Sequence, residues 1–311
     1  MNKRFQLEAF CKSTVGKKMI SVNYKYSALA LALITLKSHS AATLVPEMSQ
    51  LNVGTAGAGS AILSEGASTA YSNPAAMSYL EDVHIAINMA MMALSIEYQD
   101  HRHPSLSSDN AGGAQPYGSV YAVAPISERS RIGLAIVATG GSGLDYGNDY
   151  AGRLSVNDLQ LSVMQINPSL SYKISEKFSL GAGVQMDRAT FEQRFLSQTA
   201  SIESVSYALG YNLGATYLLS PEHRFGVTFR SKMEHELTGD LTIFNRQIDS
   251  RVGLVNAAKL EFSAYHQVNE PIAIVWSFGQ EFWSVNEQTS IHLNETEISK
   301  HVDLKILGLL H

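Results

Sequence analysis

Between Tyr207 and Leu219 every second residue is apolar or aromatic: Tyr207, Leu209, Tyr211, Leu213, Ala215, Tyr217 and Leu219. The residues between them, Ala208, Gly210, Asn212, Gly214 and Thr216, are small or polar. Successive side chains of a strand point to opposite faces, so this segment reads as a strand with one apolar and one small, polar face. It is long enough to cross a bilayer with tilt, which takes about 9–11 residues. The same rhythm runs through Ile166–Ile174, Phe178–Asp187 and Arg224–Arg230, and more weakly through Val83–Gln99, Tyr117–Ile126, Arg131–Thr139, Leu260–Val268 and Pro271–Gln280. A soluble sheet buries its apolar face and covers the other with Lys and Glu. Here the second face carries Gly, Ser, Asn, Gln and Arg, which suits the lumen of a barrel whose apolar side meets lipid. The expected fold class is all-β, a transmembrane antiparallel β-barrel with about nine or ten strands in this chain.

The connectors agree with that reading. Ser127–Ser130, Ser175–Lys177 and Ser220–His223 are short, as periplasmic turns are, whereas Asp100–Gln115 and Gly140–Asp158 are long and polar, as extracellular loops are. Charged residues make up only 16% of the 311, against a usual share of about 25%, which fits a transmembrane barrel, although composition alone leaves a soluble all-β protein open. The net charge of -5 argues against a nucleic-acid binder, which carries a basic patch. The single cysteine, Cys11, lies in an N-terminal stretch with the marks of a secretory signal: Lys17, Lys18 and Lys25, then the apolar run Ala28–Leu36, then small residues up to Ala42. Residues 1–42 are expected to be an N-terminal extension and signal peptide, with Met19 a possible start, leaving a mature chain without a cysteine nucleophile or disulfide.

Between the signal and the first strand lies Asn52–Leu80, NVGTAGAGSAILSEGASTAYSNPAAMSYL, rich in Gly, Ala and Ser and with neither helical nor strand periodicity. Its glycines allow tight turns and close backbone packing. Asn73-Pro74 favours a turn, because proline restricts the residue before it. Leu51, Val53, Ile62, Leu63, Tyr71, Met77 and Leu80 give the segment apolar material to pack, so residues 43–82 are expected to form a compact plug ahead of the strands at 83–299.

The words A-G-A-G, A-S-T-A-Y and N-P-A-x-M, in this order, resemble the N-terminal hatch of the FadL/TodX outer-membrane transport family. The likeness extends through Asp149–Arg153, Ile166–Tyr172, Phe178–Val184, Arg224–Lys232, His235–Asp240, Tyr265-His266, Trp276 and Phe282–Ser284. The resemblance implies a hatch that plugs the lumen of a family barrel of 14 strands and moves when ligand binds, with Gly57, Gly59, Asn73 and Pro74 in the moving part. It implies passive uptake of long-chain fatty acids or other hydrophobic compounds, a monomer in the outer membrane of a Gram-negative bacterium, contact with outer-membrane lipid, and assembly by periplasmic chaperones and the barrel-assembly machinery. No nucleic-acid partner is implied. The tail Lys300–His311 departs from the family pattern, which reads as C-terminal truncation. A truncated relative that is a surface or structural protein, or has no function, is the alternative.

For a hydrophobic ligand the candidate contacts are Met89, Met91 and Met92, soft side chains that adapt to irregular shapes, and Arg188 and Arg230, since arginine meets a carboxylate with two hydrogen bonds. Arg194, Arg224 and Lys232 are further cations of the same kind. No G-x-S-x-G, H-E-x-x-H, Walker A or G-x-G-x-x-G occurs, so no catalytic residue and no enzyme activity are expected, and neither is a metal or redox cofactor.

Overall fold

The computed structural model describes residues 54–55, 57–63, 66–243 and 246–282, together with the backbone of 288–293 and 296–301. The signal segment 1–42, Leu51, Val53, Trp283, Ser284 and residues 302–311 lie outside the described residues. Thirteen antiparallel strands form one sheet that curls into a half-barrel. They are β1 (His84–Leu94), β2 (Gly113–Pro125), β3 (Ser130–Asp145), β4 (Asp158–Ser175), β5 (Phe178–Phe195), β6 (Ala200–Ser220), β7 (His223–Arg230), β8 (Met233–Ile243), β9 (Arg246–Asn256), β10 (Lys259–Asn269), β11 (Ile272–Glu281), β12 (Gln288–Leu293) and β13 (Thr296–His301). Among the described residues no helix is long and apolar enough to cross a membrane.

The thirteen strands among the described residues exceed the nine or ten read from alternation because β12 and β13 follow the last alternating stretch and two long strands are each split. Arg230 lies opposite Lys259, and Met233 opposite Asn256, in one continuous register. So β7 and β8 are one long strand interrupted at Ser231-Lys232, and β9 and β10 are its partner, interrupted at Ala257-Ala258. The breaks split the sheet in two beyond β6, whose first half pairs with β8 and whose second half pairs with β7. Strands also run further than the apolar stretches suggest: β2 begins at Gly113 and β3 continues to Asp145, which shortens both expected long loops.

The inside-out pattern is present along every long strand. On β6, Tyr207 and Leu209 are each 75% exposed, while Ser204, Ser206, Ala208, Asn212, Gly214 and Thr216 face inward and are buried. On β1 the outward residues Ile85, Ile87, Met89 and Met91 are all at least 66% exposed. An apolar face this continuous, running across β1 to β11, far exceeds the few hundred Å² a soluble surface leaves open. Lipid is the solvent that matches it.

Two seams interrupt the wall. Pairing of β2 with β3 stops at Ser119 opposite Val137, so Gly113–Gly118 bond only to β1, and β3 bulges between Ala138 and Gly140. On the other side, β6 pairs with β8 only up to Val205 opposite Thr238 and with β7 only from Asn212 opposite Arg230. At the lower edge of this second gap, Ser231 exchanges hydrogen bonds with the backbone of Tyr211, both 2.9 Å.

Candidate functional site

The plug expected before β1 is a hatch lying against the inner wall. It comprises turns over 57–62, a single helical turn at Thr69–Ser72 and a 3-10 helix at Pro74–Tyr79. Gly57 and Gly59 both have φ of +83°, a conformation that glycine adopts without strain. Gly59 N–H donates to Ser277 Oγ at 2.8 Å, and Ala61 N–H to Ser263 Oγ at 3.2 Å, which ties this end to β10 and β11. Ser60 Oγ donates to the Glu261 carboxylate.

Asn73 is the pin. It is wholly buried, and its side chain works in two directions. Oδ1 accepts from Ala75 N–H at 3.0 Å and caps the 3-10 helix; Pro74 occupies the first helical position, where its missing N–H costs nothing. Nδ2 donates to the Ala61 carbonyl at 2.6 Å and reaches the carbonyls of Ala215 and Val227, each at 3.4 Å. One amide thus joins two parts of the hatch to β6 and β7. Ser78 Oγ adds a 2.7 Å bond to Ser179 Oγ on β5.

The glycines of the inner wall explain how backbone approaches backbone here. A Cβ on Gly181 would strike the Pro74–Ala75 backbone, on Gly214 the Asn73 amide, and on Gly226 the Ala61 carbonyl. On Gly133 it would strike Met77 and Ala70. Four strands therefore each contribute one glycine to a seat shaped for the hatch. The remaining contact is apolar: Ala67, Ala70, Met77 and Leu80 pack against Tyr121, Val123, Ala135 and Val137.

Beyond the seat, towards the long-loop end, the lumen becomes polar and holds a cavity of about 140 Å³. Its lining includes Tyr71, Thr139, Gln165, Gln185, Asp187, Arg230, Lys259 and Glu261. Arg230 lies at its centre. One terminal nitrogen donates to the Tyr71 carbonyl at 2.6 Å and to Asn167 Oδ1 at 3.4 Å, and the other donates to Gln165 Oε1 at 3.0 Å. The guanidinium carbon stacks 3.7 Å from the centre of the Tyr71 ring. Arg230 thus fastens the helical turn of the hatch to the wall. Lys259 Nζ pairs with Glu261 Oε2 at 3.0 Å. Asp187 accepts from Gln165 Nε2 at 2.6 Å through one oxygen. Its other oxygen lies 3.4 Å from His235 Nε2 without hydrogen-bond geometry, and both His235 nitrogens are buried without a partner. The cavity thus combines a fastened hatch with polar groups that are incompletely satisfied.

The sequence-predicted ligand residues separate by parity. Arg230 faces the cavity. Met92 shares the inner side of β1 with Ala86 and accepts a 3.4 Å bond from the Tyr117 hydroxyl, but it does not line the cavity. Met89 and Met91 point out of the wall, 84% and 66% exposed, and Arg188 is exposed between the outward residues Met186 and the β5 rim. These three are corrected to the lipid side, because a two-residue period places them with Ile85, Ile87 and Val184 and away from the lumen. Of the further cations, Arg194 and Lys232 are exposed and pair with Asp158 and Glu234, and Arg224 stacks on Tyr265 at 3.9 Å. Gln165, Asn167 and Asp187 were not anticipated as site residues. Each sits on the inner register of a strand whose outer register was plain, and that parity is the signal that finds them.

The family model described as "Outer membrane protein transport protein (OMPP1/FadL/TodX)" matches residues 31–305. The chain belongs to this family. It is a protein of the outer membrane of a Gram-negative bacterium. The long-chain fatty acid transport protein of Salmonella typhi is 24% identical over 324 residues, covering 89% of this chain and 74% of the relative. Outer membrane protein P1 of Haemophilus influenzae is 22% identical, covering 86% and 71%. Among solved structures, a FadL homologue of Pseudomonas aeruginosa matches with a TM-score of 0.69 at 20% identity, over 84% of this chain and 74% of that one. The toluene transporter TbuX of Ralstonia pickettii matches with a TM-score of 0.61 at 18% identity, over 78% and 75%. The structural likeness shows the fold: an antiparallel barrel-type sheet that carries a hatch.

Proposed function

We propose that this outer-membrane protein takes up long-chain fatty acids or other hydrophobic compounds by passive diffusion, with the N-terminal hatch as the gate. The relatives' names supply the substrate class, and the observation that carries the gate is Arg230. It holds the Tyr71 carbonyl from within the cavity, so a ligand group that competes for its donors releases the hatch at that point. A carboxylate is such a group, since it accepts two hydrogen bonds from a guanidinium. The cavity of about 140 Å³ is smaller than the roughly 300–1,000 Å³ of ordinary ligand sites, so a long acyl chain enters only as the hatch gives way. Gly57 and Gly59 are the swivel points, and Asn73-Pro74 is the anchor that must stay or break. No energy source is invoked, and the chemistry is binding and release with no enzymatic step.

The test is uptake of labelled oleate by cells carrying the protein, beside Arg230→Ala and Arg230→Lys. Loss of the fastening in Arg230→Ala is expected to raise leak of unrelated small solutes several-fold while lowering saturable oleate uptake. Unchanged uptake and unchanged leak in both variants would remove Arg230 from the gate.

A further inference from the structure

A second constellation lies on the opposite side of the wall and at the opposite end. His223 begins β7 and His266 lies near the end of β10, directly across from it in the ladder. Their Nδ1 atoms are 3.0 Å apart, and the ring centres 5.2 Å. Both rings are on the outer face, at the end of the strands joined by the short turns Pro221-Glu222 and Glu270-Pro271. Short turns mark the periplasmic end of an outer-membrane barrel. Nothing in the transport reading uses this pair.

We propose that His223 and His266 form a chelating site for a divalent transition-metal ion, with Cu²⁺ the tightest. Two imidazole nitrogens close enough to bind one ion are a donor set that copper, nickel and zinc share. The spacing discriminates among them. Metal–imidazole bonds are about 2.0–2.1 Å, and two such bonds to nitrogens 3.0 Å apart enclose about 91–97°. That is the cis angle of tetragonal Cu²⁺ or Ni²⁺, narrower than the tetrahedral angle zinc adopts in structural sites. Affinity order points the same way, since copper stands highest in the series.

The site is preformed. His266 is held edge-on to Phe225 at 5.7 Å and lies nearly parallel to Trp276 at 6.4 Å, so its ring keeps its orientation without the metal. The 3.0 Å separation suits a metal-free arrangement in which one Nδ1–H donates to the other Nδ1. On metal binding that proton moves to Nε2 of the same ring, both Nδ1 lone pairs bind the ion, and no net proton is lost. Water completes the coordination. The exposed Glu222 lies in the adjoining turn, one residue from His223. A bound ion would clip β7 to β10 on the outside, three ladder positions from the Gly226–Ser263 pair on which the hatch rests inside.

The experiment is Cu²⁺ titration of the folded, untagged protein in detergent, followed by calorimetry and by electron paramagnetic resonance. The expected result is one ion per chain with two-nitrogen hyperfine structure, bound about tenfold or more weakly in His223→Ala and in His266→Ala. His101→Ala/His103→Ala, which alters the exposed loop histidines, is expected to bind as the parent does. His223→Gln, which keeps a polar side chain in the exposed turn, guards against a folding defect and should lose binding equally. Absence of saturable Cu²⁺ binding, equal affinity in parent and His223 variants, or loss confined to the His101/His103 variant would overturn the proposal.

Discussion

The two halves of the lumen are built on different principles. Around the seat, the hatch meets the wall backbone to backbone, with Gly181, Gly214 and Gly226 clearing the space and the Asn73 amide bonded at both ends. The cavity is lined by Gln165, Gln185, Asp187 and Arg230, with His235 next to Asp187, and among these groups Asp187 and His235 have unpartnered atoms. The wall is continuous beside the seat and is broken by the two seams and by the interruptions at Ser231-Lys232 and Ala257-Ala258 beside the cavity. A buried polar atom without a partner costs about 1–3 kcal/mol, so the cavity half holds free energy that a rearrangement or a ligand can recover. At the seat, Ser171 Oγ and Asn212 Nδ2 are likewise buried without a partner, and there the contact is made mainly by backbone and apolar groups.

That contrast can be broken by mutation. The largest effect is expected from Gly181→Val with Gly214→Val, which places side chains where the Asn73–Ala75 backbone lies. Each overpacks the seat by about 1–3 kcal/mol, several together, so the hatch should undock and become sensitive to limited proteolysis. Asn73→Ala comes next. It removes the cap and the bond to the Ala61 carbonyl, and roughly 1–3 kcal/mol of hatch docking should be lost, read as a lower unfolding temperature. Arg230→Ala removes the bonds to the Tyr71 carbonyl and Gln165 and should lower the unfolding midpoint by no more than Asn73→Ala does, while raising solute leak if the proposed gate is right. The smallest effect is expected from Asp187→Asn. Removing a buried charge whose second oxygen is unbonded should stabilise the protein by up to about 1 kcal/mol in denaturant titration. Destabilisation there would mean that Asp187 is paired more strongly than its geometry indicates.

How much of this could be read in the residues follows from what period two encodes. It shows which face a side chain occupies, so the outward row from Tyr207 to Leu219 and the lipid-facing surface were plain in advance. Applied strictly, the same parity places Met89 and Met91 with Ile85 outside, and Arg230 with Gly226 and Thr228 inside. The chemical attraction of Met and Arg as ligand contacts obscured that rule. Alternation does not reveal depth or register, so the cross-strand meeting of Arg230 with Gln165 and Asn167, or of His223 with His266, was hidden. The strand breaks were hidden too: Ser231-Lys232 and Ala257-Ala258 carry no proline or glycine, and only the fork of the sheet reveals them. The glycines of the inner face suited a barrel lumen, and which of them form the footprint of the hatch is visible only in the structure.

The central claim is that the hatch must move for cargo to pass. Ser78 on the hatch and Ser179 on β5 have hydroxyls 2.7 Å apart, so replacing both with cysteine permits a covalent lock, and Cys11 is the one native thiol. Oleate uptake by cells carrying the Ser78→Cys/Ser179→Cys protein should fall to background when the pair is oxidised and return when it is reduced. Uptake that stays at the parent level with the disulfide fully formed would contradict the account.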